Sequence, residues 1–227
     1  MPKRTRAGAL TALLAACLAA GSTVTATASP AALSPAALSP ATGATPAGAP
    51  APAAKASAAP KFLSASQLPP HPSSSWRAGK VTDGVPEEYQ YCLGDALLAY
   101  DARHRVFRTD LETSARQLNI VVGSAAKAKA LAARLNKDYR KCAARIDADP
   151  DLKAQYRDYG SLPVEEGARV HGLHVRTSWG AMDVQLLSVG RDGRTVTVVD
   201  WAQMGDFKSA PVKAFKKTTT TAVNKLH

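Results

Sequence analysis

The sequence predicts an α+β fold: an antiparallel sheet with two long helices packed against it, running through a C-terminal meander into a closing helix. Three stretches predict it. Residues 124–146 hold neither Gly nor Pro, and Ala128, Leu131, Leu135, Tyr139, Cys142 and Ile146 recur at spacings of three and four, which is one helical face. Residues 169–201 alternate with period two and carry a Gly190-Arg191-Asp192-Gly193 connection between two alternating runs, a hairpin signal. Residues 209–226 place Val212, Phe215, Thr219, Ala222, Val223 and Leu226 on one helical stripe.

The other elements follow in order. Residues 62–68 are a short apolar stretch stopped by Pro69-Pro70. Trp76 opens a segment to Pro86 that reads as strand and loop, and 89–100 reads as a short helix carrying Cys92. Residues 103–109 and 114–123 read as strands, the second from its β-branched density. Gly123-Ser124 breaks that strand and caps the long helix. Lys127 in the first turn and Asp147 and Asp149 beyond the end have the wrong signs for the helix dipole, so packing must hold this helix. Pro150 stops it. The sum is five or six strands, with the helices expected on one face of the sheet.

The chain has 227 residues and a formal charge of +11, the excess being scattered rather than blocked. A nucleic-acid interface would show a dense basic run with interleaved aromatics, so none is expected. The first 28 residues read as an export signal: a basic start at 2–6, an apolar run at 7–21 and an Ala26-Thr27-Ala28 cleavage site. A second reading stands beside it, in which Leu14-Ala15-Ala16-Cys17 is a lipobox and Cys17 is lipidated, anchoring the chain to the outer face of the cytoplasmic membrane. Residues 29–60 form an Ala/Pro-rich linker too poor in large apolar groups to fold, leaving 61–227 as the domain. Export leaves Cys92 and Cys142 as an even pair, so a disulfide is expected. Closing a loop of about 50 residues stabilises by roughly 4 kcal/mol on the chain-entropy model.

No catalytic motif, cofactor or metal site is expected. His171 and His174 are three apart on a strand and point to opposite faces, so they cannot share an ion; a partly buried His171 and a solvated His174 is the expectation. Asp183 and Asp200 lie on adjacent hairpin strands and are the one candidate carboxylate pair for acid–base work. Trp76, Trp179 and Trp201 either pack the core or line an apolar cleft beside His171, Arg176 and Asp183; the latter set is the candidate ligand site. Lys208, Lys213, Lys216, Lys217 and Lys225 form either a solvated helix face or a contact for anionic polymer or lipid.

The order of features resembles the actinobacterial extracellular sensor domain, typified by the external part of the mycobacterial kinase PknH and by related lipoproteins. The match runs over 70–227: Trp76, Cys92, Arg105-Val106-Phe107, then Ala115-Arg116-Gln117-Leu118. It continues with the Ala-rich helix ending near Cys142, the 189–193 hairpin and a closing helix with Phe215. The resemblance implies an antiparallel sheet flanked by helices, a ligand cleft, no catalysis and disulfides, often two. This chain departs there, because Cys92 and Cys142 allow one. The expected function is therefore an exported, non-enzymatic sensor or ligand-binding domain for a small molecule or envelope component. Two alternatives are a cationic wall- or membrane-associated adaptor or inhibitor, and an exported carboxylate-dependent hydrolase.

Overall fold

The computed structural model describes residues 59–94, 97 and 100–227; the expected leader, Cys17 and most of the linker lie outside them. Seven strands form one antiparallel sheet: β1 (Arg77–Asp83), β2 (Ala102–Arg108), β3 (Ser114–Val121), β4 (Leu152–Leu162), β5 (Ala168–Thr177), β6 (Met182–Asp192) and β7 (Thr195–Met204). Their order across the sheet is β1-β2-β3-β7-β6-β5-β4. The C-terminal meander β4 to β7 thus inserts β7 against β3, with Leu118 opposite Val198. The hairpin loop between β6 and β7 is tighter than the glycine spacing suggests. Asp192 pairs with Thr195, and Gly193 takes the positive φ of 53° that a two-residue loop requires.

The helices are α1 (Glu87–Leu93), α2 (Ala125–Arg140), α3 (Cys142–Ile146) and α4 (Val212–Asn224). Ser124 caps α2, its hydroxyl accepting from Lys127 N at 3.2 Å. The Ala-rich run is not one helix: the Lys141 N–H bonds back to Asp138 and Tyr139, and the chain restarts as α3 at Cys142. The acids beyond its end act on the next strand instead of the helix dipole. Asp147 Oδ1 accepts from Ala154 N at 2.7 Å and Asp149 Oδ1 from Asp151 N at 2.9 Å, which launches β4. That strand has no counterpart in the sequence reading.

The helices do not share one face. Leu131, Leu135, Tyr139 and Cys142 pack with Leu93 against Leu118, Leu173, Leu187 and Val198. On the opposite face Phe215 and Ala222 of α4 join Leu63 and Leu68 over Phe107, Val170, Leu186, Val199 and Trp201. The central strands are therefore apolar on both sides, and the fold is three layers. α4 lies so close to β6 that a Cβ at Gly190 would fall on Val223 Cγ2 and meet Ala168 Cβ at 3.0 Å.

Cys92 and Cys142 form the expected disulfide, with Cα atoms 5.1 Å apart, and Arg145 donates to the Cys92 carbonyl. It ties α1 to the α2–α3 junction. No helix among the described residues is long and apolar enough to cross a membrane.

Candidate functional site

A depression in the described surface runs between α4 and residues 63–72, a strap laid along the sheet face that α4 covers. Polar contacts fix the strap along its length. Leu63 N donates to Gln117 Oε1 at 2.7 Å, and Arg105 Nη1 donates to Leu63 O at 3.0 Å. Gln117 is fully buried, and with Asn119 and Thr197 it forms a satisfied polar cluster on the sheet. Further along, Thr218 Oγ1 of α4 donates to Gln67 O at 2.7 Å, and Lys225 Nζ donates to Gln67 Oε1 at 3.0 Å. Trp76 Nε1 donates to Pro69 O at 2.7 Å. Pro69, Pro70 and Pro72 restrict the strap backbone further.

The groove holds about 800 Å³ between Leu68 and Pro70 on one side and Pro211, Val212, Ala214 and Thr218 on the other. A neighbouring hollow of about 270 Å³ shares Pro70 and Pro211 with it and continues past His71 to Trp201 and Gln203. The two adjoin at these prolines and form an open channel edged by Pro69, Pro70, Pro72 and Pro211. Ligand pockets fall in roughly the 300–1,000 Å³ range. Lys213 and Lys217, one turn apart on α4, stand on its wall, and no carboxylate lines either part.

The six residues singled out by sequence divide around this channel. Trp201 lies along it and Trp76 buttresses its lip. The other four lie elsewhere. His171 is buried on the opposite sheet face beneath α2, where Tyr156 Oη meets Nδ1 and Asn136 Oδ1 meets Nε2, both at 2.7 Å. Burial pushes its pKa down to about 4; Asp158 opposes this, while Arg169 and Arg140 add to it. His174 is also buried rather than solvated, its ring 5.6 Å from Phe207. Trp179 is 72% exposed in the β5–β6 turn. Arg176 pairs with Met182, and Val175 with Asp183, so Arg176 and Asp183 point to opposite faces.

The carboxylate pair is not assembled either. Asp183 stands opposite Met204, while Asp200 stands opposite Leu187. Asp200 is fully buried and holds Arg116, with Nη2 at 2.7 Å from Oδ2. Tyr89 Oη at 3.2 Å and Gln185 Nε2 at 3.1 Å complete its shell, and Tyr139 Oη donates to Gln185. Every lone-pair direction of that carboxylate is engaged by structure, which leaves none for substrate.

The sequence displays the parts of this channel without their juxtaposition. Pro69-Pro70 reads as a stop, and the lysines read as a solvated helix face or a contact for anionic polymer or lipid. What brings them together is the strap's attachment to Gln117, 54 residues away.

No family model matches the chain, and no curated protein matches it. Among solved structures it is similar to the crystal structure of the extracellular domain of PknH from Mycobacterium tuberculosis. The identity is 15% and the TM-score 0.44, over 67% of this chain and 87% of that one. A likeness of this size carries neither family membership nor function from one chain to the other.

Proposed function

We propose that this chain is an exported, non-enzymatic ligand-binding domain of the sensor type, and that its ligand lies in the channel between the proline strap and α4. The channel is the observation that carries the reading: it is ligand-sized, apolar along most of its length and built on a strap pinned at several points. A disulfide between α1 and α3 fits a chain that works in an oxidising compartment. The resemblance of the sequence to extracellular sensor domains points the same way. The hydrolase alternative loses its carboxylate pair, because Asp200 is committed to Arg116.

A thermal-shift screen of amphiphiles, saccharides and short peptides tests the reading. A ligand at 100 times its Kd adds about 2.7 kcal/mol, or roughly 5–10 °C in Tm for a domain of this size. The half-exposed Ala214 lines the channel, so Ala214→Trp obstructs it. The reading expects at least one compound to raise the Tm of the wild type and not of this variant. A panel without effect, or stabilisation that survives the obstruction, contradicts it.

A further inference from the structure

We propose that the channel takes a free single-chain amphiphile with an anionic headgroup, the chain lying along Leu68, Pro70 and Val212 towards Trp201 and the headgroup meeting Lys213 and Lys217. This rests on the channel being the ligand site and adds what kind of ligand fits it.

The channel is chemically two-ended. Around Pro70, Pro211 and Trp201 it offers rings and few donors; around Lys213 and Lys217 it offers two cations on one wall. Among the described residues neither lysine has a carboxylate within ion-pair distance. This is unlike most of the other basic side chains that line or border a cavity: Arg169 is paired with Asp158, Arg191 with Glu166 and Arg103 with Asp83.

Helix stability does not explain the lysines. Lys213, Lys216 and Lys217 lie in the first two turns of α4, and its first turn has no acidic residue. Cations at that end oppose the helix dipole, and like charges three or four residues apart repel. A local choice that works against its own element is expected where a binding site needs it. An anion held between the two ammonium groups relieves both terms, and the acyl chain takes the apolar run that a small inorganic anion would leave empty. A bilayer surface fits less well, because the apolar part is recessed between the strap and α4 instead of protruding.

Binding of sodium myristate below its micelle concentration, followed by calorimetry on the exported domain, tests this. Monomyristoylglycerol carries the same chain without charge, and inorganic phosphate carries charge without a chain. Lys213 and Lys217 are exposed, so Lys213→Gln/Lys217→Gln leaves the fold intact. The proposal expects myristate to bind the wild type and to lose about ten-fold or more in affinity in the double variant, since a charge-assisted contact contributes that much. It expects binding to weaken as salt rises and to vanish in Ala214→Trp. Equal binding of the neutral lipid overturns the anionic assignment while the channel remains the ligand site. No binding of either lipid, with a different compound found in the channel by the thermal screen, overturns the amphiphile and spares the ligand-binding reading. Lysine-dependent capture on phosphatidylglycerol vesicles without binding of monomeric myristate also overturns it.

Discussion

Arg116 grips Asp200 through Nε and Nη2 in a place where the aspartate has no exposure and the arginine side chain only 11%. The pair joins β3 to β7, where the first three strands meet the C-terminal meander. Tyr89 of α1 reaches it from above, with its ring 5.7 Å from the guanidinium. It is the polar centre of the layer beneath α1 and α2. Removing one partner strands a buried charge. Arg116→Ala is expected to lower the unfolding free energy by about 3–5 kcal/mol. Urea denaturation checks this, and a loss under 1 kcal/mol would show the aspartate finding water.

The disulfide acts on the same layer from the α1 side. The bridged positions are separated by 50 residues, and the double change Cys92→Ser/Cys142→Ser is expected to cost about 2–4 kcal/mol. Amide exchange should rise first in α1, because its seven residues are too few to hold a helix alone. An unchanged urea midpoint would contradict this.

His171 makes the fold acid-sensitive in a stated direction. Its folded pKa is pushed down to about 4, so below the unfolded value of about 6.5 the unfolded chain binds more protons than the native one. The stability it contributes is full above about pH 6.5 and falls away as pH drops towards 4. His171→Gln is expected to unfold more easily at pH 7 and to lose less stability than the wild type between pH 7 and 5. Parallel slopes in urea titrations at the two pH values would refute the assignment.

How much of this could be read from the residues depends on what each feature rests on. The helices, the cap at Ser124 and the hairpin after Asp192 are local, and period, Gly placement and propensity suffice for them. β4 is an edge strand whose outward positions are Lys153, Gln155 and Arg157, and a bulge between Asp158 and Gly160 breaks its alternation. Its inward Leu152, Ala154 and Tyr156 were too short a signal to stand out. The two-sided cover is legible in β7: Val196 and Val198 face one layer while Val199 and Trp201 face the other, which a sheet with one wet face would not show. The channel was not legible, since it depends on Gln117 and Thr218 catching a strap far away in sequence.

The close approach of α4 to β6 seats the helix whose N-terminal half lines the channel. Gly190→Ala would drive a methyl group into Val223 and is expected to cost about 1–3 kcal/mol. Because α4 must shift to relieve it, ligand affinity should fall along with Tm, whereas the equally buried Leu187→Val on the opposite face should lower Tm alone. Loss of affinity in both variants would point to global destabilisation instead.

The three tryptophans supply the most direct measurement. Each indole N–H gives its own resonance in a nitrogen-15 correlation spectrum, and the three sit in different surroundings: Trp201 along the channel, Trp76 bonded to its lip and Trp179 exposed in the β5–β6 turn. Titration with myristate is predicted to move the Trp201 signal most, Trp76 less and Trp179 not at all. Movement of Trp179 with Trp201 unchanged would place the ligand at the end of the sheet and contradict the account.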